Sequence, residues 1–271
     1  MAVPKRVAER IATTLKPFQA ILQQQKARDV SEADTVTVVK DLLSELFGYD
    51  KYAELTSEHS IRGTFCDLAV KIDAKLSMLI EVKAIGTELK EGHVKQAIDY
   101  AANQGCEWVV LTNGIKWHLY HVLFKKPIDK QEVTVFDLLS SNPKNESHIE
   151  LLYLLTREGF TKSALAEYRD RKDATSRFML AAIILNSDPV NSAIRREIRR
   201  VSELLIEPEV IDRMLRDEVI KRETMEGEQA EAANRRFNRS VDRNIKRASE
   251  RDQVIETASA SSDDAAIAQN D

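Results

Sequence analysis

Residues 77–83, Ser77-Met-Leu-Ile-Glu-Val-Lys83, form a short apolar run that ends in two opposite charges. Side chains two apart on a β-strand point to the same face. Glu81 and Lys83 therefore project together, and the apolar residues that alternate with them project to the other side. An acid and an amine at the end of a buried strand are either an ion pair or half of a metal-dependent hydrolytic site.

The preceding segment adds a second carboxylate to this strand end. Phe65–Ile72 alternates as a strand, with Asp67 on the face opposite Leu68 and Val70. If the two strands pair as a hairpin, Asp67, Glu81 and Lys83 converge. Two close carboxylates repel each other unless one is protonated or a cation lies between them. Mg²⁺ accepts carboxylate and carbonyl oxygens, so it suits that arrangement.

A structural ion pair remains the alternative, because an acid two positions before a lysine is common in this chain. The pattern also occurs at positions 73–75, 88–90 and 170–172. Only Glu81 and Lys83 lie on an apolar strand, where the burial of charge costs free energy and needs a compensating interaction.

Two helices are predicted before the strands. The spacing of apolar residues over 5–26 indicates an amphipathic helix, kinked or split near Pro17. A second helix follows Ser31, its N-cap residue, and runs to about Phe47. Glu32 lies on the inward face of its first turn, where it either caps the helix or points at a positive group.

The middle of the chain predicts a mixed α/β sheet that is flanked by helices and contains a crossover helix. Asn113-Gly114 stands between two apolar runs, the strongest short-range signal for a β-hairpin. The other predicted elements are strands at 52–59, 65–72, 77–83, 108–111 and 115–122, and a helix at 89–103.

Beyond Pro127 a short strand at 133–136 precedes an α-helical C-terminal region, whose apolar stripes need each other or a second subunit, such as a homodimer partner. From about Gly227 the chain loses hydrophobic content, which is typical of disorder. The predicted division is an N-terminal helix at 1–30, a sheet domain at 31–140, a helical region at 145–226 and a disordered tail at 227–271.

Gln96 and Tyr100 follow the charged strand on the predicted crossover helix. They are four apart and so share a helix face. A glutamine and a tyrosine there can hydrogen-bond a phosphodiester or hold the lysine; the alternative is a pair of ordinary surface residues.

These motifs together resemble a known family. Asp67, Glu81-Val-Lys83 and Gln96-Ala-Ile-Asp-Tyr100, followed by Val110-Leu-Thr-Asn-Gly-Ile-Lys-Trp-His-Leu-Tyr120, are similar to the N-terminal nuclease domain of type I restriction enzyme R subunits. That domain falls in the PD-(D/E)xK nuclease superfamily. The resemblance covers roughly residues 30–125.

The resemblance implies Mg²⁺-dependent cleavage of DNA, with Mn²⁺ as a possible substitute. Asp67 and Glu81 would be metal ligands, joined by Glu32, and Lys83 would position the attacking water or stabilise charge. Gln96 and Tyr100 would be accessory residues that contact DNA or orient the site. The rival interpretation is a catalytically inactive module of the same fold that binds nucleic acid or protein.

Composition limits the remaining possibilities. The 271 residues are 43% hydrophobic and 31% charged, and they contain no apolar run long enough to cross a bilayer. Two cysteines without metal-binding spacing suit a reducing cytoplasm. No glycine is followed by lysine, so a Walker A loop is absent from the sequence and any DNA motor would be a separate protein.

Overall fold

The computed structural model describes residues 2–61 and 64–243, without the side chains of 58–65. The chain divides into two compact units, Met1–Arg169 and Asp170–Asp271. Among the described residues no helix is both long and apolar enough to span a membrane.

The first unit is built on a mixed six-stranded sheet in which the strand order follows the chain. All neighbouring strands are antiparallel except β3 and β4, which are parallel. A parallel pair needs a crossover connection, and helix α3 (Glu91–Gln104) provides it. The predicted mixed sheet with a crossover helix is confirmed. Its strands are β1 (Leu55–Ile61), β2 (Thr64–Ile72), β3 (Lys75–Val82), β4 (Trp108–Thr112), β5 (Lys116–Leu123) and β6 (Asp129–Asp137).

Both faces of the sheet are covered by helices, because alternate strand residues are apolar on both sides. One core contains Met78, Ile80 and Val82 of β3 together with residues of the N-terminal helices. The other contains Leu79 of β3 and the apolar stripe of α3. The carboxyl end of β3 therefore emerges between two helical layers.

The N-terminal helix α1 (Lys5–Ala27) is continuous, and the predicted split near Pro17 is wrong. Pro17 is exposed, whereas the flanking Leu15 and Phe18 are buried in the same core. Pro17 has no backbone N–H and cannot donate the usual helical hydrogen bond. The burial of the side chains on either side of it keeps the helix continuous at this position. Because this stripe belongs to the main core, residues 1–30 do not form a separate unit.

Helix α2 (Glu32–Asp41) begins as predicted, with the Ser31 side chain accepting a hydrogen bond from the Asp34 amide. It continues in a wider π-helical turn over Leu42–Leu46. The segment ends at Gly48, where φ is +83° and a Cβ atom would lie 2.6 Å from the Arg10 guanidinium carbon. Glycine is therefore needed there for both backbone conformation and space.

The first unit includes residues that the sequence placed in the C-terminal region. Helices α4 (Glu146–Tyr153) and α5 (Arg157–Thr161) lie within it, and α6 (Ala164–Ala174) begins in it. The Arg10 guanidinium contacts both Glu158 oxygens at 2.7 Å, and Tyr49 donates to the Leu155 carbonyl oxygen at 3.0 Å. The predicted boundary near 140–145 thus does not coincide with the division after Arg169.

The second unit contains α7 (Arg177–Asn186), α8 (Asp188–Ser202), α9 (Pro208–Met214) and a further helix over 228–243. The tail predicted from residue 227, disordered with a transient helix at its start, begins in the structure with a helix over 228–243. Ala233 is buried against Met179 and Ala182, because an alanine face can pack closely even where overall hydrophobicity is low. Residues 244–271 of the predicted tail lie outside the described residues.

Candidate active site

The site begins where the β2–β3 ladder ends. The last paired residues are Leu68 and Ile80, and the same register would place residue 66 opposite residue 82. The Val82 amide instead donates to Asp67 Oδ2 at 2.7 Å. A side-chain carboxylate thus replaces a backbone acceptor, and it holds Asp67 at the end of β3 beside Glu81.

Lys83 lies between two carboxylates from different elements. Its Nζ is 2.8 Å from Glu81 Oε1 and 3.4 Å from Glu32 Oε2. The side chains of Glu81 and Lys83 are 14% and 20% exposed, and that of Glu32 is 48% exposed. Glu32 therefore approaches the pair from solvent, from the first turn of α2.

The charges at this strand end are strongly coupled. Burial raises the pKa of Glu81, the charges of Asp67 and Glu32 raise it further, and the hydrogen bond from Lys83 opposes this. Burial by itself lowers the pKa of Lys83, but the hydrogen bond to Glu81 and the three nearby carboxylates outweigh burial and raise it. Three acids around one amine leave an excess of negative charge, which a cation would reduce.

The donor set agrees with Mg²⁺ in chemistry but does not form a complete protein cage. Among the described residues no group of three or more His, Cys, Asp or Glu side chains is arranged to hold a metal ion. Mg²⁺ does not require such a group, because it is commonly held by one or two carboxylates, with water and substrate oxygens completing the shell. Asp67 and Glu81 fit that requirement, whereas Glu32 contacts Lys83.

Gln96 and Tyr100 do not share an exposed surface. Gln96 is exposed on α3, whereas Tyr100 is 4% exposed in the core between α3 and the sheet. The boundary of the buried stripe passes between these two positions. Tyr100 is thus too deeply buried to contact DNA, and only an indirect role in orienting the site remains open to it.

Sequence reasoning missed the contribution of the hairpin between β4 and β5. It identified Asn113-Gly114 as a turn, and the antiparallel pairing with φ of +80° at Gly114 confirms this. It did not anticipate that the Lys83 amide donates to the Thr112 carbonyl oxygen at 2.8 Å, or that the Asn113 side chain donates to the carbonyls of Ile85 and Thr87. The only available signal was an asparagine in a turn that follows a buried strand.

Comparison with protein families supports the resemblance inferred from the motifs. Residues 38–136 match the model of the type I restriction enzyme R protein N terminus. The matched segment includes Asp67, Glu81 and Lys83, but neither Glu32 nor the helices that follow β6. Comparisons with curated proteins and with solved structures gave no match.

Proposed function

We propose that this chain carries a Mg²⁺-dependent nuclease site that hydrolyses DNA phosphodiester bonds at the carboxyl end of β3. The observation that carries the proposal is the meeting of Asp67, Glu81 and Lys83 at one strand end, inside the segment that matches the R protein N terminus. Partial burial of three charged groups costs free energy that a bare structural role does not require.

Each residue of the site has a distinct task in this proposal. Asp67 and Glu81 would hold the metal ion, which would supply Lewis-acid activation of a water molecule and of the phosphoryl group. Lys83 donates hydrogen bonds from an ammonium held close to Glu81, and it stabilises the negative charge that develops on the phosphoryl group. Glu32 limits where that ammonium can move.

A catalytically inactive binding module is the second candidate. One observation favours it: the Glu81–Lys83 ion pair is complete without a cation, at 2.8 Å. In this alternative the charged strand end is structural, and the domain binds nucleic acid or protein without cutting. The excess of carboxylates around Lys83 favours the nuclease.

We propose DNA, and a separate motor or specificity protein, as the partners of this site. The matched family model is named for a type I restriction enzyme R protein. No glycine–lysine pair occurs in the 271 residues, so these residues supply no Walker A loop for ATP-driven movement.

The test is cleavage of supercoiled and linear DNA, and of an RNA of matched length, with Mg²⁺, Mn²⁺ or EDTA. The proposal predicts metal-dependent cutting of DNA that EDTA abolishes. Binding of DNA without cleavage under either ion, with and without an added motor protein, would support the inactive module instead. Cleavage of RNA alone would correct the substrate.

A further inference from the structure

The loop that follows Lys83 is held by one buried side chain on a different element. The Asn113 Nδ2 donates to the carbonyl oxygens of Ile85 at 3.3 Å and Thr87 at 3.0 Å. Asn113 is only 7% exposed, so these bonds form largely away from competing water. They connect the β4–β5 turn to the loop that follows β3.

The other end of the same carboxamide builds the turn. Asn113 Oδ1 accepts hydrogen bonds from the amides of Ile115 at 3.1 Å and Lys116 at 2.9 Å. One side chain therefore makes four hydrogen bonds, two as donor and two as acceptor. Only a carboxamide offers both functions at this length, since an aspartate accepts but cannot donate when it is charged.

The loop also has little space on its other side. A Cβ atom at Gly86 would clash with Asp29 Oδ1, so the backbone there approaches the α1–α2 connection closely. Glu32, which contacts Lys83, begins the helix just after that connection. The loop at 84–87 is thus held between the Asn113 carboxamide and the segment that supplies Glu32.

These contacts act on Lys83 through the backbone. The Lys83 amide donates to the carbonyl oxygen of Thr112, the residue before Asn113. The backbone amide of Lys83 is thus hydrogen-bonded to the end of β4. The carbonyl groups of Ile85 and Thr87, two and four residues after Lys83, are hydrogen-bonded to Asn113. The backbone is therefore held on both sides of Lys83, whose ammonium lies 2.8 Å from Glu81 Oε1.

We propose that Asn113 is a positioning residue for Lys83, and that its donated hydrogen bonds set the orientation of the ammonium in the nuclease site. The inference rests on the proposed function for its catalytic consequence, but the positioning itself is a property of the protein alone. Asn113 touches no reacting group, and it acts by fixing the loop that carries Lys83.

The test distinguishes the role of the donating Nδ2 of Asn113 from that of its accepting Oδ1. Asn113→Asp keeps an acceptor for the Ile115 and Lys116 amides and replaces both donors with a charge that repels the loop carbonyls. Asn145→Asp is the matched control, because the side-chain oxygen of Asn145 accepts hydrogen bonds from the amides of Ser147 and His148 at the start of α4, and a carboxylate keeps that acceptor. Asn113→Ser replaces the two carboxamide N–H donors with a single, shorter hydroxyl without adding charge, and it serves if the aspartate variant fails to fold.

Three readouts are measured on each folded variant: the single-turnover cleavage rate, DNA affinity without divalent ions, and the Lys83 ammonium NMR signal. We expect Asn113→Asp to lower the cleavage rate at least tenfold, to leave DNA affinity within threefold and to shift the Lys83 signal. Asn145→Asp should match the wild type in all three. A merely structural role would lower melting temperature without moving the Lys83 signal.

Two outcomes overturn different claims. A folded Asn113 variant that cuts within twofold of the wild-type rate, with an unchanged Lys83 signal, would overturn the positioning role and leave the nuclease intact. A wild type that cuts nothing would overturn the nuclease, and the Lys83 signal would then decide the positioning role alone. If neither variant folds, hydrogen exchange of the Asn113 carboxamide protons is measured in the wild type. Rapid exchange with solvent would refute the donated hydrogen bonds on which the positioning role depends, and protected protons would support them.

Discussion

The carboxylate of Asp67 has two functions at the end of the β2–β3 ladder. Its Oδ2 accepts a hydrogen bond from the Val82 amide, with an N–O distance of 2.7 Å, and its charge contributes to the raised pKa of Glu81. The first contact stabilises the fold, whereas the second, a repulsion between two carboxylates, opposes it. Substitutions that separate the two are therefore more informative than removal of the whole side chain.

We predict that Asp67→Asn and Asp67→Ala both abolish metal-dependent cleavage but differ in stability. Asparagine keeps an oxygen for the Val82 amide and removes the repulsion with Glu81, so melting temperature should hold or rise. Alanine leaves that amide without its acceptor, which costs about 1 kcal/mol at this half-buried position. Chemical denaturation of both variants checks this; equal stability of the two would contradict the structural role.

Individual contacts of this site differ in how far they follow from sequence. Asp67 and Glu81 lie on adjacent strands, so alternation and a hairpin are enough to bring them together. The Lys83–Glu32 contact joins positions 51 residues apart, and it depends on how α2 crosses the sheet. The burial of Tyr100 likewise depends on the rotation of α3, which a spacing of four residues does not fix.

The contact between α1 and α5 links the two ends of the first unit. The Arg10 guanidinium contacts both oxygens of Glu158 and also donates to the carbonyl oxygens of Leu46 and Phe47, where the π-helical turn ends. The hydrogen bonds from Arg10 lower the pKa of Glu158. One guanidinium therefore joins three segments through a charge-assisted, bidentate contact.

We predict that this pair contributes to stability in a pH-dependent manner. Because the folded-state pKa of Glu158 is lowered, the contribution is fully present above the ordinary carboxyl pKa and is lost as pH falls through the folded value. Glu158→Gln should therefore destabilise the protein by about 1 kcal/mol near pH 7 and by much less near pH 3.

Melting curves of Glu158→Gln and wild type across this pH range provide the measurement. Glu231→Gln, in an exposed pair with Arg235, is the matched control and should change little at either pH. A destabilisation by Glu158→Gln that stays constant from pH 7 to pH 3 would contradict the role assigned to its charge.

The sequence predicts the presence of the strands better than it predicts where they begin and end. The buried strands and the Asn113-Gly114 hairpin follow from local signals, because apolar runs and turn residues can be recognised in the sequence without knowledge of the tertiary structure. β6 extends from Asp129 to Asp137, whereas only 133–136 was predicted. Its first residues are polar and carry no strand pattern of their own, so pairing with β5 decides their conformation.

At the scale of the whole molecule, the helix over 228–243 belongs to the core of the second unit. Ala233 is 7% exposed and packs with Met179, whereas the neighbouring Ala232 is exposed. Low hydrophobic content suggested disorder here, because small buried alanines add little to a hydrophobicity average. Their contribution depends on a partner helix that composition does not reveal.

We predict that Ala233→Asp destabilises the second unit by about 2 kcal/mol or more, because a charge would be forced into an apolar contact. Ala232→Asp places the same charge on the exposed face of the same helix and should be close to neutral. Calorimetry of both variants provides the comparison. Equal melting behaviour would show that this helix does not contribute to the core.

We propose that the charges at the end of β3 form a metal-dependent nuclease site and are more than an ion pair. Lys83→Met distinguishes the two, because it removes the ammonium and leaves both carboxylates in place. Melting temperature with and without Mg²⁺, DNA binding and DNA cleavage are measured on the same preparation. Glu81→Gln is the companion variant that removes a proposed ligand.

The nuclease account predicts that Lys83→Met loses cleavage at least a hundredfold and still binds DNA. Mg²⁺ should raise the melting temperature of the wild type and of Lys83→Met, since a ligand that binds the folded state stabilises it, but not that of Glu81→Gln. Loss of the partner of a fully buried charge costs about 3–5 kcal/mol, and the Glu81–Lys83 pair, with side chains 14% and 20% exposed, should lose less than this if it is only structural. A wild type that cuts nothing and does not respond to Mg²⁺, together with a clearly destabilised Lys83→Met variant, would contradict the nuclease proposal.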